Sequence, residues 1–272
     1  MTNIEPEQPP RVRYAIEDNI GILTFCRPDI RNRLDKVFTS QLVEGLQRAG
    51  SDISVRCVII CAEGNTFCAG GDIKAMHART GHFAGGPVDN HRTYVDGVQR
   101  LARAFYSTDV PVIAAVGGAA MGAGLDIAAM CDIRIASTEA RFAESFIRLG
   151  LVSAAGGAWF LQRAIGSAAA AELTLTGREF DAARALELGL VSRVVSPGEL
   201  LSTARSIAAE IAVHPPHSVR LNKRLLRESA NASLHHALEL AAAYQGLVQH
   251  TSDQREAVAA VIEKRPARYE GK

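Results

Sequence analysis

Two patterns of apolar residues divide the chain. Before residue 140, short, mainly apolar runs recur at 55–61, 112–116 and 131–136, interrupted only by Arg56, Asp132 and Arg134 and each too short to be a helix of its own. Such runs, taken as continuous rather than alternating, predict strands of a sheet covered on both faces. Residues 12–17 and 20–25 predict a hairpin about the turn-prone pair Asp18-Asn19. Residues 36–49 carry helical spacing, with Phe38, Leu42, Val43 and Leu46 on one stripe. A second helix is predicted over 91–106, ended by Asp109-Val110-Pro111, and the Gly-rich stretch 81–87 before it predicts a mobile loop. Beyond Gly156 the pattern turns almost wholly helical, with Trp159 and Phe160 expected to pack its first helix on the core. A short strand interrupts it at 191–195, and Pro215-Pro216 separates two of the last helices. The prediction is an α/β core over 11–200, a helical C-terminal region over 201–272 and a disordered acidic lead-in over 1–10, which lacks the basic-then-apolar order of a signal peptide.

Composition narrows the class without choosing a function. The 272 residues are 47% hydrophobic and 22% charged with a formal net charge of +1, which gives no electrostatic case for nucleic acid or an anionic membrane as partner. No apolar run reaches the roughly 18 residues of a membrane-spanning helix. The five cysteines are odd in number and include no Cys-x-x-Cys pair, so reduced, buried thiols and a cytoplasmic setting are expected. Cys68 alone sits in a turn of chemical interest, and its apolar neighbours favour packing there too.

That turn, residues 65–72 (Asn-Thr-Phe-Cys-Ala-Gly-Gly-Asp), has a counterpart about 50 residues on, at 121–126 (Met-Gly-Ala-Gly-Leu-Asp). Each follows a predicted strand and opens into a helix-compatible segment. Glycine and alanine let a ligand come close to the backbone, and the first amides of a helix are unpaired donors. Two such turns facing one another would aim two N–H groups at a single oxygen, which is how an oxyanion is stabilised.

Several segments taken in order resemble the crotonase superfamily, also called the enoyl-CoA hydratase/isomerase family. They are Arg27-Pro28 with Asn32, the first Gly turn through Ile73, and residues 111–117. Gly122 to Asp126 follow, then Cys131-Asp132-Ile133-Arg134, Leu175-Thr176-Gly177, Gly189-Leu190-Val191-Ser192 and Glu263-Lys264-Arg265. The resemblance spans about residues 12–269. It implies a ClpP/crotonase-like spiral of repeated ββα units and a C-terminal helical region that builds homotrimers, often paired into hexamers. It also implies an acyl-CoA thioester as substrate, with coenzyme A as part of that substrate rather than a separate cofactor. The two amides that hold the thioester oxygen map onto Gly71 and Ala123. The adenine and phosphate contacts map onto Arg31, Arg33, Ala69, Asp72 and Ile73, where guanidinium groups suit phosphate oxygens.

The resemblance fails at one place that matters. Hydratases of the family use two glutamates. The first position holds Asp126 here, a carboxylate one methylene shorter, and the second holds Phe146, which cannot ionise. Glu144 lies two residues earlier and is expected to point elsewhere, yet it remains a candidate acid or base. Ser153 and the loop histidines His77, His82 and His91 are lesser candidates. General acid–base work needs a titratable group within hydrogen-bonding reach of the proton, so Asp126 carries the expectation. The sequence has no His-Glu-x-x-His metal motif, no Gly-Lys-Ser/Thr phosphate loop and no Gly-x-Ser-x-Gly nucleophile turn, and no serine at either Gly turn to suggest peptide hydrolysis. The expected activity is enoyl-CoA hydratase/isomerase chemistry through a thioester enolate. The alternatives are decarboxylation or thioester hydrolysis on the same framework, or a binding protein that has lost the chemistry.

Overall fold

The computed structural model describes residues 9–272 and, of His82, the backbone alone. The lead-in expected over 1–10 therefore falls mostly outside the described residues. Ten strands are described: β1 (Val12–Glu17), β2 (Ile20–Phe25), β3 (Cys57–Ala62), β4 (Thr66–Cys68), β5 (Val112–Val116), β6 (Ala119–Met121), β7 (Ile133–Ser137), β8 (Arg141–Ala143), β9 (Glu179–Asp181) and β10 (Arg193–Val195). The helices before residue 200 are α1 (Lys36–Ser51), α2 (Ile73–Ala78), α3 (Pro87–Asp96), α4 (Gln99–Ser107), α5 (Ala123–Met130), α6 (Gly157–Ile165), α7 (Ser167–Thr176) and α8 (Ala182–Glu187). After it come α9 (Leu200–Ala212), α10 (Pro216–Ser229), α11 (Leu234–Val248) and α12 (Ser252–Glu263).

The strands form two sheets, in the orders β1-β2-β3-β5-β7-β10 and β4-β6-β8-β9. β1 and β2 are the expected antiparallel hairpin, with Asp18 and Asn19 both at positive φ. The rest of the first sheet is parallel. Three strands of that sheet, β3, β5 and β7, are each followed by a short strand of the second sheet and then by a helix: β3-β4-α2, β5-β6-α5 and β7-β8-α6. This is a ββα unit used three times. The mainly apolar runs have the expected cause. Leu23, Val58, Ile60, Val112 and Ala114 face one core; Ile22, Cys57, Ile59, Ile113 and Ile135 face another, closed by Leu200, Ala204, Ile207 and Ala208 of α9.

The helix expected over 91–106 is two helices, because the chain breaks at Gly97. A β-carbon there would lie 2.3 Å from the Thr93 carbonyl oxygen, and Gly97 adopts φ −105°, ψ −110°, far from helical values. The loop expected over 81–87 contains a single 3-10 turn, Gly81–Phe83, before α3 begins at Pro87.

α10 docks on the core through charge rather than through an apolar seam. Arg220 donates to the Gly50, Asp52 and Val55 carbonyl oxygens near the end of α1, and Lys223 donates to the Val110 carbonyl at 2.8 Å and pairs with Asp132 at 2.7 Å. Arg224 and Arg227 both meet Asp109. None of the described helices is long and apolar enough to cross a membrane.

Candidate active site

The two Gly turns meet, and the short strands bring them together. β4 and β6 pair in parallel, with Thr66 opposite Ala119 and Cys68 opposite Ala120. The contact is main chain against main chain. A β-carbon at Gly118 would lie 2.0 Å from the Asn65 carbonyl oxygen, and one at Gly124 would lie 2.1 Å from the Cys68 carbonyl oxygen. Gly70, at φ +80°, adopts a conformation that favours glycine, and a β-carbon there would reach 2.6 Å from the Met121 carbonyl oxygen. Replacing Gly124 with alanine should therefore force the turns apart and cost about 1–3 kcal/mol. A urea midpoint below wild type would show it; Gly246→Ala in α11, with nothing within 4 Å, is the matched control and should not lose stability.

The first turn is also fixed from its other side. Asn32, 1% exposed, donates to the Thr66 and Glu63 carbonyl oxygens at 2.8 and 3.1 Å and accepts from the Arg27 amide at 2.8 Å. The Ala69 amide donates to the Arg31 carbonyl oxygen and the Leu34 amide to the Gly70 carbonyl oxygen, lacing residues 31–34 along the turn.

A cavity of about 280 Å³ opens beside both turns, and Gly71 and Ala123 both line it. Ala123 is the first residue of α5, so its amide has no partner within the helix. Neither that amide nor the Gly71 amide donates to another group among the described residues. The rest of the lining is mostly apolar: Leu34, Met76, Phe83, Val98, Phe146, Leu151, Val152, Ala154 and Ala155, with Thr39, Thr93 and Tyr94.

The two carboxylates at its edge are already committed. Asp35 accepts from the Phe38 amide at 2.8 Å, capping α1, and pairs with Arg11 at 2.7 Å. Asp72 caps α2 through the Lys74 and Ala75 amides and pairs with Arg33 at 3.0 Å. Of the residues matched to coenzyme A contacts, Ala69, Asp72 and Ile73 lie along this turn. Arg33 is spent on Asp72, and Arg31 is exposed at φ +58°.

Asp126 and Glu144 are brought together, but not in the cavity. Both are almost wholly buried, 0% and 1% exposed, and their carboxyl groups lie within hydrogen-bonding reach of each other. As expected, Glu144 does not take the place of the Phe146 side chain; it turns inward onto Asp126, a contact the sequence reading did not foresee. Asp126 Oδ1 and both Glu144 oxygens find no donor among the described residues, which two ionised carboxylates could not sustain. Burial, and then the Glu144 charge, pushes the Asp126 carboxyl well above its ordinary range. Burial pushes Glu144 up to about 7. Both shifts favour the protonated form of the pair. Ser153 Oγ donates to Asp126 Oδ2 at 3.2 Å and accepts from the Ala158 amide at 3.3 Å. The residues on either side of Ser153, Val152 and Ala154, line the cavity, so the pair sits directly behind that wall. Space for it depends on Gly157, where a β-carbon would fall 1.8 Å from Asp126 Oδ1.

His77 and His91 are exposed and do not line the cavity, and the His82 side chain lies outside the described residues. Cys68 is fully buried, and burial pushes its thiol up to about 12, which suits packing rather than nucleophilic work. Tyr94, Thr39 and Asp35 were not among the sequence candidates. Each sits in a helix or its cap with no local motif, so nothing short of the tertiary fold marks them as cavity residues.

A sequence model of the enoyl-CoA hydratase/isomerase family matches residues 15–272. The chain is 34% identical to the 1,2-epoxyphenylacetyl-CoA isomerase of Escherichia coli, over 94% of this chain and 97% of that one. It is 33% identical to the short-chain-enoyl-CoA hydratase of Clostridium acetobutylicum, over 92% and 93%. The crystal structure of an enoyl-CoA hydratase from Bacillus anthracis superposes with a TM-score of 0.90 at 29% identity, covering 96% of this chain and all of that one. The fold thus has its counterpart in solved structures, and the chain belongs to the enoyl-CoA hydratase/isomerase family of the crotonase superfamily.

Proposed function

We propose that this protein is an acyl-CoA-processing enzyme that stabilises a thioester enolate with the main-chain amides of Gly71 and Ala123. One observation carries the reading: two unpaired amides from separate ββα units line one apolar cavity. A thioester carbonyl placed between them gains its stabilisation as negative charge develops on oxygen. Coenzyme A then lies along the Arg31, Ala69 and Ile73 edge, with Arg33 and Asp72 shaping it as an ion pair.

Proton transfer falls to the Asp126–Glu144 pair, with the Ser153 hydroxyl between it and the cavity wall. A buried carboxyl pair whose surroundings favour protonation can both donate and accept a proton. Phe146 lines the cavity at the position of the second glutamate, and the carboxylates at its edge are bound in caps and ion pairs. Hydration needs a water held between two cavity-facing carboxylates, so this arrangement favours proton shuttling at the α or γ carbon over addition of water. The full burial of Asp126 favours the second reading, an acyl-CoA binding protein without turnover.

Crotonyl-CoA incubated in deuterated water distinguishes these by mass. Deuterium in the recovered ester, lost in Asp126→Asn, is the expected result. A hydrated product would replace isomerase-type chemistry with hydration. An unchanged mass beside demonstrable ester binding would leave the binding reading standing. The exposed Leu226, Leu234, Leu247, Val261 and Ile262 on α10–α12 support assembly through these helices, as a homotrimer or a pair of trimers. The reduced, partly buried cysteines fit a cytoplasmic enzyme.

A further inference from the structure

We infer that the cavity beside Gly71 and Ala123 accepts uncharged acyl groups and rejects acyl groups ending in a carboxylate. This rests on the acyl-CoA reading above and adds the chemistry of the acyl end. The selectivity follows from what the lining offers a negative charge.

Among the described residues, no Lys, Arg or His side chain lines the cavity. The nearby guanidinium groups, Arg11 and Arg33, are held by Asp35 and Asp72, whose own remaining oxygens accept helix amides. Both guanidinium groups are thus paired, and Arg11, whose Nη1 has no partner among the described residues, does not line the cavity, so an incoming carboxylate would add a negative charge beside two existing ones. The amides of Gly71 and Ala123 are reserved for the thioester oxygen. What remains for the acyl end is apolar or aromatic surface, chiefly Met76, Phe83, Phe146 and Leu151, and three neutral hydroxyls, Thr39, Thr93 and Tyr94. Hydroxyls do not replace the hydration of an ionised carboxylate, and an unpaired charge in such surroundings is strongly disfavoured. A short dicarboxylic acyl chain has no reach to carry its charge back to solvent. The same argument excludes malonyl-type decarboxylation, because its substrate must bring a carboxylate to the carbon next to the thioester.

Matched esters test this on the unmodified protein. Dissociation constants are measured by calorimetry for butyryl-CoA against succinyl-CoA and for propionyl-CoA against malonyl-CoA, with free coenzyme A as reference. Within each pair the chains are of similar length and differ chiefly in a terminal methyl or carboxylate. The expected result is that the carboxylate member binds about 10²-fold or more weakly in both pairs. Equal or tighter binding of succinyl-CoA or malonyl-CoA overturns the inference while leaving the acyl-CoA reading intact. Failure of every ester and of coenzyme A to bind overturns both.

Discussion

Replacing Ala123 with proline should lower kcat on the turned-over acyl-CoA by roughly 10²–10³-fold, the usual cost of one oxyanion donor, or about 2.7–4 kcal/mol of transition-state stabilisation. A side-chain truncation cannot make this test, because the proposed donor is the main-chain N–H. Proline replaces that hydrogen with a ring methylene, so the donor is lost and the ring also takes up space beside the proposed oxyanion position. Ala123 is the first residue of α5, where proline is well tolerated and no intrahelical bond is lost. The residue before it is Gly122, at φ +52° and ψ −116°, and glycine accepts the restriction that a following proline imposes. Steady-state kinetics beside the far-ultraviolet circular dichroism of the variant would check it. A folded variant with near wild-type kcat would remove Ala123 from the mechanism.

Stability should fall as the solution is made more basic, against the usual behaviour of paired carboxylates. The sign follows from the direction of the shifts. Glu144 is raised from an ordinary 4.5 to about 7, and Asp126 is raised well above 3.8, each through burial first. In the unfolded chain both groups ionise freely near their ordinary values; in the folded chain they hold protons longer. Their contribution is therefore fully present below about pH 4 and is lost as pH rises through 7, with Glu144 alone accounting for on the order of 3 kcal/mol. Surface carboxylates such as Glu256, held down to about 2 by Arg265, act at much lower pH and in the opposite sense, so they leave this window clear. Denaturant midpoints measured from pH 5 to pH 8 should fall for the wild type and fall much less for Glu144→Gln. A flat wild-type profile would mean that burial does not raise the proton affinity of the two carboxyls.

What the sequence made legible was whatever announces itself within a few residues. The long strands β2, β3 and β5 were readable because all their residues but Thr24, Cys61 and Ala62 are buried, and the two Gly turns because small residues cluster there. The strands that make the turns converge were not readable. β4, β6, β8 and β9 have three residues each, too few for any period to show. The break at Gly97 was not readable because an isolated glycine inside a helical pattern is tolerated, and only its φ −105°, ψ −110° shows that the helix ends there. The pairing of Asp126 with Glu144 lay further out of reach, since it depends on the start of α5 meeting the end of β8, where the Gly122 amide donates to the Ala143 carbonyl oxygen. The sequence supplied both carboxyls as candidates, and the fold supplied their contact.

The main-chain contact between Gly124 and Cys68 bears on how this protein can be altered by descent. If charge is held by the amides at 71 and 123, most codon changes at those positions leave the donors in place. Only proline deletes one. An alanine codon reaches proline by a single base change, whereas a glycine codon needs more than one, so the two donors differ in their exposure to accident. Glycines 118 and 124 are the reverse case, because there nearly any new side chain collides with a carbonyl oxygen. Heritable variation at this site is thereby channelled away from the charge-holding frame and toward the lining and the proton-handling groups, where new substrates and new reactions are made.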